Sequence, residues 1–404
     1  MHKKNTLNEA QSTYLDLARA LAAFSVLYGH AATYFVMGSA YSTSEIEIAG
    51  VMVFFLLSGF LISYTVFQKF HLESYTFKGF FIDRFSRIYA AYFPALVFVW
   101  LIDSYTRTLP VHIPEGKLVF LTQYSNMVDH SNLPTWISNL FMLQDYPVFQ
   151  VLRRLGLPET IFFFNEFGSA TPFWTISIEW WIYMLFGYVT LCLARSAGAF
   201  GLKQLVMLGF LSLVPFYYLI GGPIDFLSQL WIIGMIASLL FVNFTRWFGQ
   251  TFRNTNRRQV WLYVGMTMAV TIIAMVGRLF SRKFDLGEMD FRDPQFGIFV
   301  ALAIFVPLPA LGTVKKVPVF LHKFITFIAG YSYSLYLVHT PVIVCLYIKY
   351  PGHDYDHGFY WLATSIAHVV AITFWFLFER HYRALARWIK QWTATPAVQQ
   401  PVAA

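Results

Sequence analysis

The chain has 404 residues, of which 57% are hydrophobic, 20% aromatic and only 12% charged, and its mean hydropathy is +0.54. Soluble domains carry about 25% charged residues, so this composition excludes a soluble enzyme, a disordered protein and a fibrous repeat, and predicts a protein embedded in lipid. The net charge of +8 does not indicate a nucleic-acid partner, because the basic residues are scattered among short loops between apolar segments.

Apolar stretches of about 20 residues predict an all-α integral membrane protein with about ten transmembrane helices. We expect the spans near residues 14–36, 48–67, 88–104, 174–193, 203–220, 225–243, 259–278, 296–312, 324–348 and 359–379. They would form a single domain over residues 1–390, followed by a flexible cytoplasmic tail over 391–404. The first run is longer than a signal-peptide core and contains ionisable residues, so we interpret it as a retained helix.

The distribution of Lys and Arg predicts the orientation. With the N-terminus inside, the inner segments hold 19 of these residues and the outer segments hold 9, so both termini are expected in the cytoplasm. The long segment 103–173 is too polar to span and is predicted as an outer loop, in which 136–143 fits an interfacial position. Long loops often carry function, and its aromatic and acidic residues suit a sugar-stacking surface, namely Asp129, Trp136, Asp145 and Glu166. Interfacial packing explains Trp136 equally well.

Ionisable residues inside spans are costly and indicate function. In the first helix, Arg19 and His30 are 11 residues apart, so they fall on one face within about 20° and lie about 16 Å apart along the axis. This polar stripe would run from the cytoplasmic end deep into the bilayer. The alternative is structural: Asp16 neutralises Arg19, and His30 makes one interhelical hydrogen bond.

The start of the third helix carries a pair of arginines in FIDRFSRIY. Arg84 and Arg87 are three residues apart, so on a helix they share a face and present two planar forks suited to phosphate oxygens. The alternative is a positive-inside anchor without a ligand.

Two later helices add polar side chains predicted to lie deeper or toward the outer side. In FWTISIEWWIY, four-residue spacing puts Thr175, Glu179 and Tyr183 on one face, and a carboxylate among tryptophans requires a partner. In GYSYSLYLVHTP, Tyr336 and His339 share a stripe. The structural alternatives are a Glu179 bonded to loop backbone and a buried His339 without a catalytic role.

Five segments in this order resemble the acyltransferase-three family of integral-membrane O-acyltransferases. They are LDLARALAAFSVLYGH, VMVFFLLSGFLIS, RFSR, WTISIEWWIY and SYSLYLVHTP. The resemblance covers the first four and the last two helices well, and the four between them mainly by hydropathy. It implies transfer of an acyl group, commonly acetyl from acetyl-CoA, to a hydroxyl of a carbohydrate or lipid-linked glycan, and a bacterial inner-membrane location. The family's R-x10-H pair matches Arg19 and His30, its RxxR pair matches Arg84 and Arg87, and its acidic residue matches Glu179.

The resemblance, combined with the residue chemistry, suggests a mechanism. Arg84 and Arg87 would hold the CoA phosphates, and Arg19 would guide the pantetheine arm or stabilise charge near the thioester. His30 would be the general base that deprotonates the acceptor hydroxyl, with Glu179 orienting it. We expect His339 to orient the acceptor or to share the proton. A covalent acyl-His30 intermediate also fits if the acyl-CoA and the acceptor occupy opposite faces of the membrane.

The buried polar residues also suit one other class of function, a membrane transport protein. A secondary transporter or flippase would use the buried Arg, His and Glu residues as a substrate and proton pathway, but the halves of the chain show no convincing repeat.

A metal site at HDYDH, residues 353–357, is not expected, because the string lacks a second ligand pair at a known spacing. The only two cysteines, Cys192 and Cys345, lie in apolar runs and do not indicate a disulfide scaffold or a thiolate metal site.

Overall fold

A computed structural model describes residues 7–37, 45–111, 124–125, 127–144, 146–148, 165–196, 200–220, 226–247, 257–283, 294–314 and 316–393. Every regular element in this part of the chain is helical. The α-helices are α1 (Glu9–Phe35), α2 (Glu45–Lys69), α3 (Phe77–Thr106), α4 (Leu133–Leu140), α5 (Phe173–Tyr188), α6 (Leu202–Ile220), α7 (Leu227–Trp247), α8 (Arg257–Lys283), α9 (Pro294–Phe305), α10 (Leu308–Leu311), α11 (Val319–Gly330), α12 (Ser332–Lys349), α13 (His357–Leu377) and α14 (Tyr382–Trp392). A π-helical turn, Val189–Leu193, continues α5, and a 3₁₀ turn, Glu379–His381, precedes α14.

Each predicted span coincides with helix in the structure, which confirms the all-α class. Five helices are long and apolar enough to cross a membrane, or six if the bent pair α11 and α12 counts as one span, within the described residues. The helices near 14–36 and 259–278 do not meet that criterion, and those near 225–243 and 296–312 contain shorter apolar helices. Ten spans and cytoplasmic termini therefore stay predictions, and most of the tail lies outside the described residues.

Hydrogen bonds join the ends of several helices at one end of the bundle. The Asn8 side chain, which caps α1, donates to the carbonyl of Leu311 at the end of α10 (3.2 Å). Arg195, just after α5, donates to the carbonyl of Tyr75 between α2 and α3 (2.8 Å). The C-terminal helix α14 packs against the first turns of α3. We call this the basic end; it holds the segments that the Lys and Arg distribution assigns to the cytoplasm.

Small residues bring α1, α2 and α7 into close contact. A methyl group at Gly50 of α2 would lie 2.6 Å from the carbonyl oxygen of Ala22 in α1. A methyl group at Gly59 would collide with the carbonyl of Trp231 in α7, and one at Gly234 would collide with the carbonyl of Leu56 in α2. Backbones approach this closely only where side chains are absent, an arrangement common in membrane helix pairs.

The predicted span 324–348 is broken in the structure. Helices α11 and α12 meet at Tyr331 with a bend of 47°. The freed N-terminus of α12 is held by Glu379, whose Oε2 accepts hydrogen bonds from the Ser334 amide (3.0 Å) and hydroxyl (2.7 Å). A carboxylate suits the positive end of a helix dipole, so a residue from beyond α13 stabilises the break.

The described part of the long loop packs on α3 and α5 by hydrogen bonds. Asn139 accepts from the Phe167 amide (3.2 Å), and the Met142 carbonyl accepts from the Trp181 indole (2.7 Å). Trp136 packs edge-on against Phe93 of α3, with ring centroids 6.2 Å apart. Asp145 lies outside the described residues. The sugar-stacking role of this loop stays a prediction.

Candidate active site

A cavity of about 190 Å³ opens between α1, α2, α3, α5 and α12. Four of the six site residues predicted from the sequence line it: Arg19, Arg84, Arg87 and Glu179. The rest of its wall is mostly apolar or aromatic, and includes Val51, Phe54, Phe55, Leu57, Ser58, Leu61, Ile62, Ile88, Thr175, Ile176, Tyr183, Ser332, Tyr333 and Tyr336. The cavity therefore has a mostly apolar wall that also carries cationic groups from two helices.

Arg19 is partly neutralised within its own helix. Its Nη2 lies 2.8 Å from Asp16 Oδ1, three residues earlier, as the structural interpretation of the sequence expected. The same nitrogen points toward the carbonyl of Ala329 in α11 (3.5 Å). However, Nε is buried and has no hydrogen-bond partner among the described residues. An unsatisfied buried N–H is costly, so this edge of the guanidinium favours an acceptor group inside the cavity.

The two arginines of the RFSR motif have different environments. Arg87 Nη1 lies 2.7 Å from Glu379 Oε1, and the carboxylate is 1% exposed. Its guanidinium also lies over the rings of Tyr333 (5.7 Å) and Tyr382 (5.0 Å). Arg84 makes no ion pair in the part of the chain that the structure describes, and its Nε is buried without a partner. The shared helix face predicted for the pair is present, but of the two only Arg87 is held by a close ion pair within the described residues.

Glu179 lies deep on α5 and faces the cavity. It accepts a very short hydrogen bond from Tyr183, one turn later, and Ser58 of α2 is its other polar neighbour. Arg84 and Arg87 are the cations whose charges act on it. The predicted stripe of Thr175, Glu179 and Tyr183 therefore exists, and it faces the arginines.

The two predicted histidines lie together beyond the cavity. The rings of His30 on α1 and His339 on α12 have centroids 5.2 Å apart. His339 is fully buried; its Nδ1 donates to the Leu335 carbonyl (3.0 Å), which leaves Nε2 as the bare acceptor nitrogen. That Nε2 has no partner among the described residues. The helix contacts thus join two groups that are 309 residues apart in the sequence.

A carboxylate that the sequence analysis did not single out faces His30. Nδ1 of His30 lies 3.1 Å from Oε2 of Glu47 on α2, within ion-pair distance although the alignment falls short of a hydrogen bond. Glu47 is 4% exposed. The close contact of Gly50 with α1, one turn along α2, brings this carboxylate to the histidine.

Tyr336 separates the cavity from the histidine pair. It lines the cavity, shares a 2.6 Å hydrogen bond with Thr175, and its ring centroid lies 5.9 Å from that of His339. Phe54 of α2 packs edge-on against it at 5.5 Å. Tyr336 therefore stands between the cavity and His339.

Sequence reasoning missed Glu47 and Glu379 for related reasons. Both stand at a span boundary: the second span was placed from 48, and the last was ended at 379. Each is nevertheless a carboxylate next to an apolar run, the kind of residue that indicates a buried partner. Counting acids within one turn of a span would have found both.

The HDYDH segment contains a local ion pair. His353 Nδ1 lies 2.7 Å from Asp356 Oδ2, and Asp354 accepts from the Tyr347 hydroxyl (3.0 Å). No group of three or more His, Cys, Asp and Glu side chains that could hold a metal ion occurs within the described ranges. These contacts fix the turn that precedes α13.

Comparison with known proteins identifies the family. A family profile described as an acyltransferase domain matches residues 12–380, nearly the whole chain. A search of curated proteins and a search of solved structures gave no significant match. The profile spans all six predicted site residues, from Arg19 to His339, and the described structure contains five or six helices that are long and apolar enough to cross a membrane. The chain belongs to the acyltransferase-three family of membrane acyltransferases.

Proposed function

We propose that the protein transfers an acyl group, acetyl in the first instance, from acyl-CoA to a hydroxyl of a carbohydrate or lipid-linked glycan at the bacterial inner membrane. One arrangement carries this proposal. Three arginines line a cavity, and beyond its Tyr336 wall lies a histidine pair, one member of which has a carboxylate beside it. An unpaired cation suits a phosphate-bearing donor, and a histidine backed by a carboxylate suits removal of a hydroxyl proton.

The donor enters from the basic end. Arg84, which makes no close ion pair within the described residues, binds a phosphate oxygen near the cavity mouth, and the apolar wall accommodates the pantetheine arm. Arg19 Nε, buried and unpartnered, donates to an oxygen of that arm or of the thioester. The thioester then passes Tyr336 to reach His30. Arg87 contributes less to binding, because Glu379 already holds its guanidinium.

His30 is the general base in this proposal. Glu47 beside Nδ1 favours the tautomer that carries its proton on that nitrogen, so Nε2 is free to accept a proton from the acceptor hydroxyl. The hydroxyl oxygen attacks the thioester carbonyl, the new C–O bond forms, the C–S bond breaks, and CoA thiolate leaves. The proton on His30 then passes to the thiolate or to solvent, which restores the base.

The remaining predicted residues have supporting roles. Glu179 was expected to orient His30, but its described contacts are with Tyr183 and Ser58, so we assign the orienting role to Glu47 and place Glu179 in the donor cavity. His339 lies against the His30 ring and is the nearest group able to share the proton or to orient the acceptor.

The test is release of free thiol from acetyl-CoA by the purified protein in nanodiscs, with and without a membrane glycan extract. We expect the extract to stimulate release in the wild type and to carry the acetyl group afterwards. His30→Asn, which keeps a nitrogen donor toward Glu47 but lacks the basic Nε2, should lose most of this stimulated rate, by about 100-fold or more.

His71→Asn is the matched control, because His71 is exposed between α2 and α3, away from the cavity. It should retain the wild-type rate. A wild-type protein that neither binds acetyl-CoA nor transfers its acetyl group to any component of the extract would refute the proposal. Unchanged transfer by His30→Asn would refute the role of His30 and leave the donor assignment standing.

A further inference from the structure

The cavity is too small to hold a whole acyl-CoA molecule. The inference drawn from this size rests on the proposed function, in which acyl-CoA is the donor. Sites for drug-sized ligands measure about 300–1,000 Å³, CoA is larger than such ligands, and the cavity measures about 190 Å³. The cavity therefore cannot hold the whole donor, and in the proposed function its acylated arm is the part that enters. The nucleotide, with its phosphates, must lie outside the mouth on the surface of the basic end.

The cavity also has too few free cations for those phosphates. Asp16 occupies Arg19, and the buried Glu379 occupies Arg87. Arg84 is the cavity arginine that makes no close ion pair within the described residues. One guanidinium cannot neutralise a diphosphate and a 3′-phosphate, so further cations are needed at the mouth.

Helix α14 packs against α3 at the basic end and carries exposed Arg and Lys side chains. Tyr382, its first residue, has its ring 5.0 Å from the Arg87 guanidinium, and the Arg383 guanidinium lies 5.6 Å from the same ring. Lys390 in the last turn pairs with Asp83 of α3 (2.5 Å), next to Arg84 in the sequence. These contacts hold α14 beside the RFSR motif, whose two arginines line the cavity.

The exposed side of α14 is basic and aromatic. Arg383 and Arg387 are one turn apart, so they share a face, and both are exposed. Neither pairs with a carboxylate within the described structure; Arg383 Nε donates to the Tyr382 hydroxyl (3.0 Å), which leaves both terminal nitrogens free. Trp388 and Trp392 are 61% and 78% exposed and stack on each other. We call Arg383 and Arg387 the basic stripe.

We propose that the basic stripe of α14 is the nucleotide subsite of the donor: Arg383 and Arg387 bind the 3′-phosphate and diphosphate of CoA while the arm enters the cavity past Arg84. Charge complementarity and the position of Tyr382 between Arg87 and Arg383 support this assignment. An amphipathic basic helix with tryptophans also suits an anionic lipid surface, and the experiment below separates the two ligands.

The test compares two donors that differ only in the nucleotide end. For the double variant Arg383→Gln/Arg387→Gln, the ratio of kcat/KM for acetyl-CoA to that for acetyl-pantetheine should fall about tenfold relative to wild type, because only acetyl-CoA carries the phosphates. Adenosine 3′,5′-bisphosphate should inhibit the wild type competitively against acetyl-CoA, and the double variant about tenfold more weakly. Lys323→Gln, an exposed cation on α11 at the same end, is the matched control and should keep the wild-type ratio.

The outcomes separate this inference from the proposed function. Turnover of acetyl-CoA by the wild type with an unchanged donor ratio in the double variant would overturn the subsite alone. The same holds if the double variant changes only the dependence of the rate on phosphatidylglycerol in the nanodisc, since that result assigns the stripe to lipid headgroups. Absence of turnover with either donor in the wild type would instead refute the proposed function.

Discussion

Nδ1 of His30 on α1 lies 3.1 Å from Oε2 of Glu47 on α2. The carboxylate is almost fully buried, whereas 23% of the His30 side-chain surface is accessible. The pair therefore has the arrangement in which an acid behind a histidine fixes the tautomer and leaves the second nitrogen to act on a substrate. The same ring also contacts that of His339, so the site combines groups from three helices.

Glu47→Gln tests whether this carboxylate positions the base. The amide can donate as well as accept, so it no longer selects the tautomer, and we expect kcat to fall about 10- to 100-fold while the KM for acetyl-CoA stays near the wild-type value. Glu47→Asp should recover part of the loss. The measurement is steady-state thiol release over a range of pH, because removing the acid should also shift the pH at which the rate declines.

Glu179→Gln is the informative comparison for that variant. Glu179 lies with the arginines in the cavity, so its change should affect the KM for acetyl-CoA more than the pH profile. If instead Glu179→Gln shifts the pH profile and Glu47→Gln leaves it unaltered, the orienting role returns to Glu179 as the sequence suggested. Glu73→Gln, in the exposed connection after α2, controls for loss of a carboxylate alone.

The two RFSR arginines should respond differently to neutral substitution. Arg84→Gln removes a free cation and should raise the KM for acetyl-CoA about tenfold with little change in thermal stability. Arg87→Gln leaves the buried Glu379 without its partner and should lower the free energy of unfolding by about 3 kcal/mol, the low end for a broken buried pair because Arg87 is 27% exposed. Thermal unfolding in detergent separates the two effects.

The combination Arg87→Gln/Glu379→Gln distinguishes a structural pair from a phosphate site. Removing both charges leaves no buried unpaired ion, so part of the lost stability should return. Equal KM effects for Arg84→Gln and Arg87→Gln, with unaltered unfolding in both, would show that the pair acts jointly on phosphate as the spacing alone suggested.

The sequence predicts the helices well and their partners poorly. Apolar runs located the long helices because burial in lipid leaves a local signal that requires no knowledge of neighbours, but the short basic helix α14 was not predicted. The break at Tyr331 was not predicted, since the carboxylate that holds it comes from Glu379, 45 residues beyond Ser334. The N-terminal extension of α3 to Phe77 was also missed, because its charges lower the hydropathy there although they pair with α14 and the segment after α13.

The candidate site shows the same division between local and distant information. Spacing placed Arg19 and His30 on one helix and offered Asp16 as the partner of the arginine, but it could not show that Glu47 faces the histidine. The contact between Glu47 and His30 depends on how closely α2 approaches α1. Gly50 permits this close approach because it has no side chain. Chemistry-bearing residue types were therefore identifiable, and their pairing required the packing.

Gly59→Ala should disturb the contact between α2 and α7. Its methyl group would meet the Trp231 carbonyl, a backbone atom that cannot move without shifting the helix, so we expect a loss of about 1–3 kcal/mol of stability from overpacking. Gly209→Ala in α6 is the matched control, because nothing lies within 4 Å of the added methyl group. Thermal unfolding of the two variants should differ clearly; equal melting temperatures would show that α2 and α7 are not packed backbone to backbone.

The stability of the long loop should depend on pH through His130. Burial lowers the pKa of this histidine, and its Nε2 lies 2.8 Å from Asn165 Nδ2, so the neutral ring accepts the amide hydrogen. The folded loop then binds fewer protons than the unfolded loop, and the stabilisation is lost as pH falls below about 6.5 toward the lowered folded value. Hydrogen exchange of the loop amides at pH 7.5 and 5.5 should show the change, and His130→Gln, which accepts the same hydrogen bond without titrating, should abolish it. Identical pH dependence in that variant would assign the effect to another group.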